Sequence, residues 1–173
     1  MMTRRTGHSD PNVLYERLSV ERDLVTGFSV LFSYFEYALK RCGFLKDLPS
    51  GVAMADWAEF GKEIRRNLAA SRAEALIKAV EYLRRNPPSL QIVTTGALDW
   101  QTVPMGTDPS PAEILGAVCR VRNNLFHGGK FASGPIAEPG RDRRLIESCT
   151  VILEECILLH PCVRECFDSL SQH

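Results

Sequence analysis

At 173 residues the chain is within the range of one domain that buries a sizeable core without help from disulfides or metals. Lys plus Arg and Asp plus Glu both number 21, so the whole molecule has no electrostatic pull toward nucleic acid or an acidic membrane, and any polyanion contact must come from a local basic cluster. Residues 1–10 hold Arg4, Arg5 and His8 with no apolar run behind them, which predicts a flexible tail of a cytoplasmic protein, with neither a signal peptide nor a membrane span.

Asp10 followed by Pro11 is a helix-start signal, and helical spacing runs from there to about Arg41 with Leu24, Phe28, Leu31, Phe35 and Leu39 on one face. Ser19, with Arg22 and Asp23 nearby, is an alternative start that would split this segment, and Gly27 is a weak point within it. Ala55 to about Ile64 predicts a short amphipathic helix with Trp57, Phe60 and Ile64 on one side. Ser71 to Arg85 predicts another, with Ala73, Leu76, Val80 and Leu83 on its stripe and Pro87-Pro88 ending it.

Residues 87–111 lack helical periodicity and contain Pro87, Pro88, Gly96, Pro104, Gly106 and Pro109. A long ordered loop is expected there, briefly extended at Leu90 to Thr95 and anchored by groups such as Trp100. Ser110-Pro111-Ala112-Glu113 then reads as a capping box: serine at the cap, proline at the first helical position, glutamate at the third. The helix it opens has Ile114, Val118, Val121 and Leu125 on its core stripe and runs to about Phe126, where Gly128-Gly129 stops it. After a loop from Lys130 to Gly140, Arg141 to His160 predicts the last long helix, with Leu145, Cys149, Ile152, Cys156 and Leu159 buried. Pro161 opens a short terminal helix through Leu170. The six cysteines, Cys42, Cys119, Cys149, Cys156, Cys162 and Cys166, are expected to be reduced and mostly buried, because three fall inside apolar helical stripes and no secretory signal is read. His160, Cys162 and Cys166 are ligand types at short spacing, but without a second pair elsewhere they predict no metal site.

The stretch Arg122-Asn123-Asn124-Leu125-Phe126-His127-Gly128-Gly129-Lys130 carries most of the functional signal. At about 100° per residue, Arg120, Asn123 and His127 project away from the core stripe, while Arg122 stands about 140° from His127, toward the flank of Leu115 and Phe126. Taken singly, each residue has an ordinary explanation. His127 suits a helix C-terminus, where the macrodipole favours it, Arg122 suits a salt bridge to a neighbouring helix, and the asparagines suit hydrogen bonds to adjacent loops.

Arg122 to His127 resembles the motif of the HEPN superfamily, an arginine and a histidine separated by four residues, with Asn123 as the polar residue after the arginine. Arg120 satisfies a looser, six-residue spacing. Phe32-Ser33-Tyr34-Phe35-Glu36-Tyr37-Ala38-Leu39-Lys40-Arg41 is similar to the early helix of the superfamily's Apea-like branch, so the resemblance covers both ends of the domain. It implies an all-α, HEPN-like bundle of about five to six helices in a single domain over residues 11–173, with the long loop before the motif helix. It also implies dimerisation through the motif region and, in many members, RNA cleavage without a metal or cofactor.

Such cleavage requires removal of the 2′-hydroxyl proton, stabilisation of the phosphorane and protonation of the leaving 5′-oxygen. Histidine suits the proton transfers, since its ordinary pKa of about 6.5 lies near working pH. Arginine remains charged and offers a planar donor fork to phosphate oxygens. The expected catalytic set is therefore Arg122 and His127 with Asn123 supporting. Arg120, Lys130, Arg143 and Arg144 are the expected substrate-binding cations, with Arg141 nearby, and Glu36 is expected to hold Arg122 in position. One histidine per chain is ill-suited to be both base and acid, so a two-fold homodimer completes the site. RNA is the expected partner, with an antitoxin or regulatory protein controlling a toxin or defence effector. The alternative is a non-catalytic HEPN-fold module that binds protein or RNA. A toxin controlled by adenylylation fits less well, because Gly129 occupies the position where those members carry a tyrosine.

Overall fold

The structure is a computed structural model and describes residues 20–126 and 139–169. The expected tail, the helix start at Asp10-Pro11, His127, the Gly128-Gly129 stop and Lys130 all lie outside the described residues. Among those described, seven helices and two short hairpins alternate in the order α1 (Arg22–Arg41), β1 (Leu45–Lys46), β2 (Met54–Ala55), α2 (Trp57–Glu63), α3 (Arg65–Ala70), α4 (Glu74–Arg85), β3 (Leu90–Thr94), β4 (Ala97–Gln101), α5 (Pro111–Phe126), α6 (Pro139–Leu159) and α7 (Pro161–Asp168). The protein is predominantly helical, and Arg65–Ala70 is a helix that the spacing of apolar residues did not predict. No helix among the described residues is long and apolar enough to cross a membrane.

The predicted stripes form a continuous core. Phe28, Phe35 and Leu39 of α1, Phe60 and Ile64 around α2, Leu76 and Leu83 of α4, Ile114, Val118, Val121 and Leu125 of α5, and Leu145, Cys149, Ile152 and Cys156 of α6 are all buried in one cluster. Helix α6 packs against α1, α4, α5 and α7, and α2 packs closely on α5. Aromatic rings fill the space between α1 and α2, where Trp57 stacks on Phe35 at 5.4 Å and on Phe32 at 4.9 Å between centroids. Asp56 starts α2 by accepting hydrogen bonds from the backbone N–H groups of Ala58 and Glu59, satisfying two of the donors that a helix start leaves open.

Residues 87–111 hold the extended stretch expected at Leu90 to Thr95, but as one strand of a hairpin and not as part of a loop. Leu90–Thr94 and Ala97–Gln101 pair antiparallel in the register Leu90↔Gln101 to Thr94↔Ala97. The turn has both central residues at positive φ, Thr95 at 51° and Gly96 at 80°, which matches the twist of a two-residue hairpin. A glycine at the second turn position was a visible signal, but threonine is a poor residue for the first. The strands lack apolar/polar alternation because both faces are largely exposed, Val93 and Leu98 included. Trp100 is half-buried opposite Gln91.

The cysteines are the second correction. Cys42 and Cys162 form a disulfide although 120 residues separate them, so they are not the reduced thiols expected. Cys42 caps the C-terminus of α1 and Cys162 lies in the first turn of α7, and the packing of α7 on α1 brings these two helix ends together. Cys119, Cys149, Cys156 and Cys166 are free thiols.

Candidate functional site

Helix α5 is fixed at its start by the predicted capping box. The Ser110 backbone N–H and hydroxyl both donate to Glu113 Oε2 at 2.8 Å, and the Glu113 N–H donates back to Ser110 Oγ at 3.3 Å. Hydrogen bonds from the Ser110 backbone and then from its side chain hold the Glu113 carboxyl below the usual range. The same turn lies against α2 at Gly61, where a Cβ would stand 2.9 Å from Ala112 N. No side chain fits between the two backbones there. Toward the other end, Asn124 Nδ2 donates to the Ser89 carbonyl at 2.9 Å, tying the helix to the entry of the β3–β4 hairpin. That bond is the ordinary role foreseen for an asparagine here.

These constraints set the direction of Arg122. Its guanidinium carbon lies 5.4 Å from the ring centroid of Phe32, within cation–π range, and one Nη donates to Asn123 Oδ1 at 3.2 Å. Phe32 is buried and is itself stacked on Trp57, so the arginine rests on a rigid surface. Arg122 is half-buried and Asn123 exposed. Glu36 lies one turn beyond Phe32 on α1 and makes an ion pair with Lys40 at 3.6 Å.

Cys119 marks the centre of this neighbourhood. Burial pushes its thiol up to about 12; Glu36 adds to the shift, and Arg122, Arg120 and Lys46 oppose it. The thiol therefore stays neutral at working pH and is no nucleophile. The charges acting on it show that Glu36, Arg120 and Arg122 belong to one electrostatic neighbourhood. Lys46, exposed on β1, joins them; sequence reading missed it because only the turn after α1 brings it near α5.

Arg120 departs from the wheel. It is half-buried instead of standing clear on a polar face, its guanidinium lies back over Gly116, and its Nε is shut off from solvent with no hydrogen-bond partner. Burial lowers its pKa, with Cys119 opposing. Arg143 is exposed and held in ion pairs, to Glu21 at 2.6 Å and to Glu147 at 2.8 Å, so it clamps α6 to the start of α1. Arg144 is exposed. Arg141 donates to the Pro87 carbonyl at 3.1 Å and is committed to structure at the end of α4.

Arg122 on α5 is thus supported by Asn123 beside it and by Phe32 of α1 beneath its guanidinium. An arginine fork so placed can bind a phosphate or stabilise developing negative charge. No protein-family model, curated protein or solved structure matches this chain.

Proposed function

We propose that the chain is a HEPN-type endoribonuclease that cleaves RNA without a metal, by 2′-hydroxyl attack at a composite site in a homodimer. The observation that supports this reading best is the placement of Arg122. It lies near the end of α5, five residues before His127, braced by Asn123 and laid over Phe32 of the early helix. Motif and early helix, the two segments that carry the family resemblance, therefore meet at the arginine that the reaction requires.

In this mechanism Arg122 binds the scissile phosphate and stabilises the phosphorane, acting as a fixed donor fork that needs no reorganisation as charge develops. His127 and its counterpart in a second copy divide the two proton transfers. Asn123 keeps the guanidinium in register. Lys130, Arg143 and Arg144 extend the cationic surface along the RNA, with Arg143 freed from its exposed ion pairs at modest cost, whereas Arg120, folded back over Gly116, stands away from it. A toxin or defence effector restrained by a regulatory protein is the setting for such an activity.

The test is cleavage of single-stranded RNA by purified protein in excess chelator, with a cyclic phosphate as product. Arg122→Ala and His127→Ala should each keep the helical circular dichroism and lose the cleavage. Equal residual activity in both variants would identify a contaminant or another site. RNA retention without cleavage by the wild-type protein would instead favour a binding module.

A further inference from the structure

Where α1 ends and α7 begins, the fold collects three sulfur atoms. Cys42, Cys162 and Cys166 place their Sγ atoms within 4.8 Å of one another, and all three residues are only half-buried. A disulfide uses two cysteines, and the Cys42–Cys162 bond leaves the third thiol beside it without a role. Cys162 and Cys166 are four residues apart in sequence, the spacing at which two ligands share one face of a helix and one ion. Cys42 approaches from the other helix end, with 5.9 Å between its Cα and that of Cys162.

We propose that, with the disulfide reduced, Cys42, Cys162 and Cys166 form a three-thiolate site for zinc or a similarly thiophilic d10 cation. A zinc–sulfur distance of about 2.3 Å in tetrahedral geometry puts ligand sulfurs roughly 3.8 Å apart, within the span already set by the backbone. Small side-chain rotations after the bond opens suffice. Three thiolates leave one coordination position for water or an exogenous donor.

The arrangement does not depend on the disulfide. The Tyr34 hydroxyl of α1 donates to the Cys166 carbonyl at 2.8 Å, and its ring meets Phe167 edge-on at 4.7 Å. Beside the other two cysteines, the rings of Phe44 and His160 pack at 5.2 Å, which joins the residues flanking Cys42 and Cys162. The helix ends therefore stay together when the bond is opened. The two chemical states exclude each other. A dithiol reductant takes the sulfur–sulfur bond to two thiols and leaves as its own disulfide; binding one Zn2+ to the three thiols then releases their three protons.

The proposal is independent of the RNA-cleavage reading. It is tested on the full chain, reduced without oxygen and freed of reductant, by titration with Co2+ as a coloured stand-in and then with Zn2+. Thiolate-to-cobalt absorption should saturate at one equivalent per chain and be displaced by Zn2+, whereas the oxidised protein should give none. Cys42→Ser, Cys162→Ser and Cys166→Ser should each weaken binding by more than the roughly 10–100-fold typical of an outer-shell change, with Cys119→Ser unaffected. Because a variant can fail to fold, alkylation mapping on the wild type provides a second readout: Zn2+ should protect all three cysteines together. The proposal is overturned by absent cobalt absorption in the folded, reduced protein, by binding that survives Cys166→Ser, or by protection of only two of the three thiols.

Discussion

Gly61 offers the sharpest test of how the motif helix is held. A Cβ at this position would lie 2.9 Å from Ala112 N, 3.1 Å from Ala112 Cα and 3.2 Å from the Pro111 carbonyl carbon. All three atoms are backbone, so no rotamer change relieves the clash, and α2 and α5 must move apart. Overpacking of this kind costs about 1–3 kcal/mol, against which alanine recovers about 0.8–1 kcal/mol of helix propensity. Gly61→Ala should therefore change stability by a net loss of about 0–2 kcal/mol. Gly27 is the control, because it lies within α1 and a Cβ there would meet nothing within 4 Å, so Gly27→Ala should stabilise by about 0.5–1 kcal/mol. Urea denaturation followed by helical circular dichroism measures both, and an unchanged m-value would assign the shifts to stability. If Gly61→Ala stabilised the protein as much as Gly27→Ala, the close approach of α2 to α5 would be refuted.

Two further predictions concern the segments flanking that contact. Ser110→Ala removes the hydroxyl that accepts from the Glu113 N–H and donates to its carboxylate, leaving only the backbone N–H bond to Glu113, and should cost about 1 kcal/mol at neutral pH by denaturant titration. Because the folded-state pKa of Glu113 lies below its unfolded value, its contribution is complete above the ordinary carboxylate range and is lost as pH falls through the folded value. Comparing wild type with Glu113→Gln across that acid range should show the difference shrinking as pH drops; a constant difference would refute the ionic cap. In the β3–β4 turn, Thr95→Asn replaces a β-branched residue at positive φ with one that tolerates it, and should raise stability by about 0.5–1 kcal/mol on the same denaturation curve.

What was legible in the sequence follows from how local each signal is. The α5 start was readable because all its partners lie within four residues, and the stripes of α1, α4, α5 and α6 because burial on one helix face repeats at a short period. The β3–β4 hairpin was not, since a ribbon exposed on both faces has no reason to alternate and Thr95 disguises its turn. The same limit applied to the site. Asn123 beside Arg122 was visible; Phe32 beneath it belongs to an element that only tertiary packing brings close, as does Lys46, whose charge acts on Cys119 of the same helix. The sulfur cluster is the plainest case, because Cys162 and Cys166 show a spacing while Cys42 brings the third sulfur from 120 residues before Cys162.

The direction of Arg122 is thus settled largely by residues outside the motif. Its helix is seated at one end by Gly61 and the Ser110–Glu113 box, tied near the other by Asn124 to Ser89, and faced by Phe32 along the flank. On an ideal wheel a position five residues on stands about 140° away, which is the offset the sequence predicts between Arg122 and His127. That offset is compatible with a site in which the arginine of one copy serves a phosphate approached by the histidine of another. It also separates stability from reactivity. If α5 is a rigid carrier for Arg122, the shift imposed by Gly61→Ala should reduce RNA cleavage beyond the fraction of protein it unfolds, and Gly27→Ala should leave cleavage per folded chain unchanged. A loss that merely tracked the unfolded fraction would mean that Arg122 finds its position without help from the α2–α5 contact.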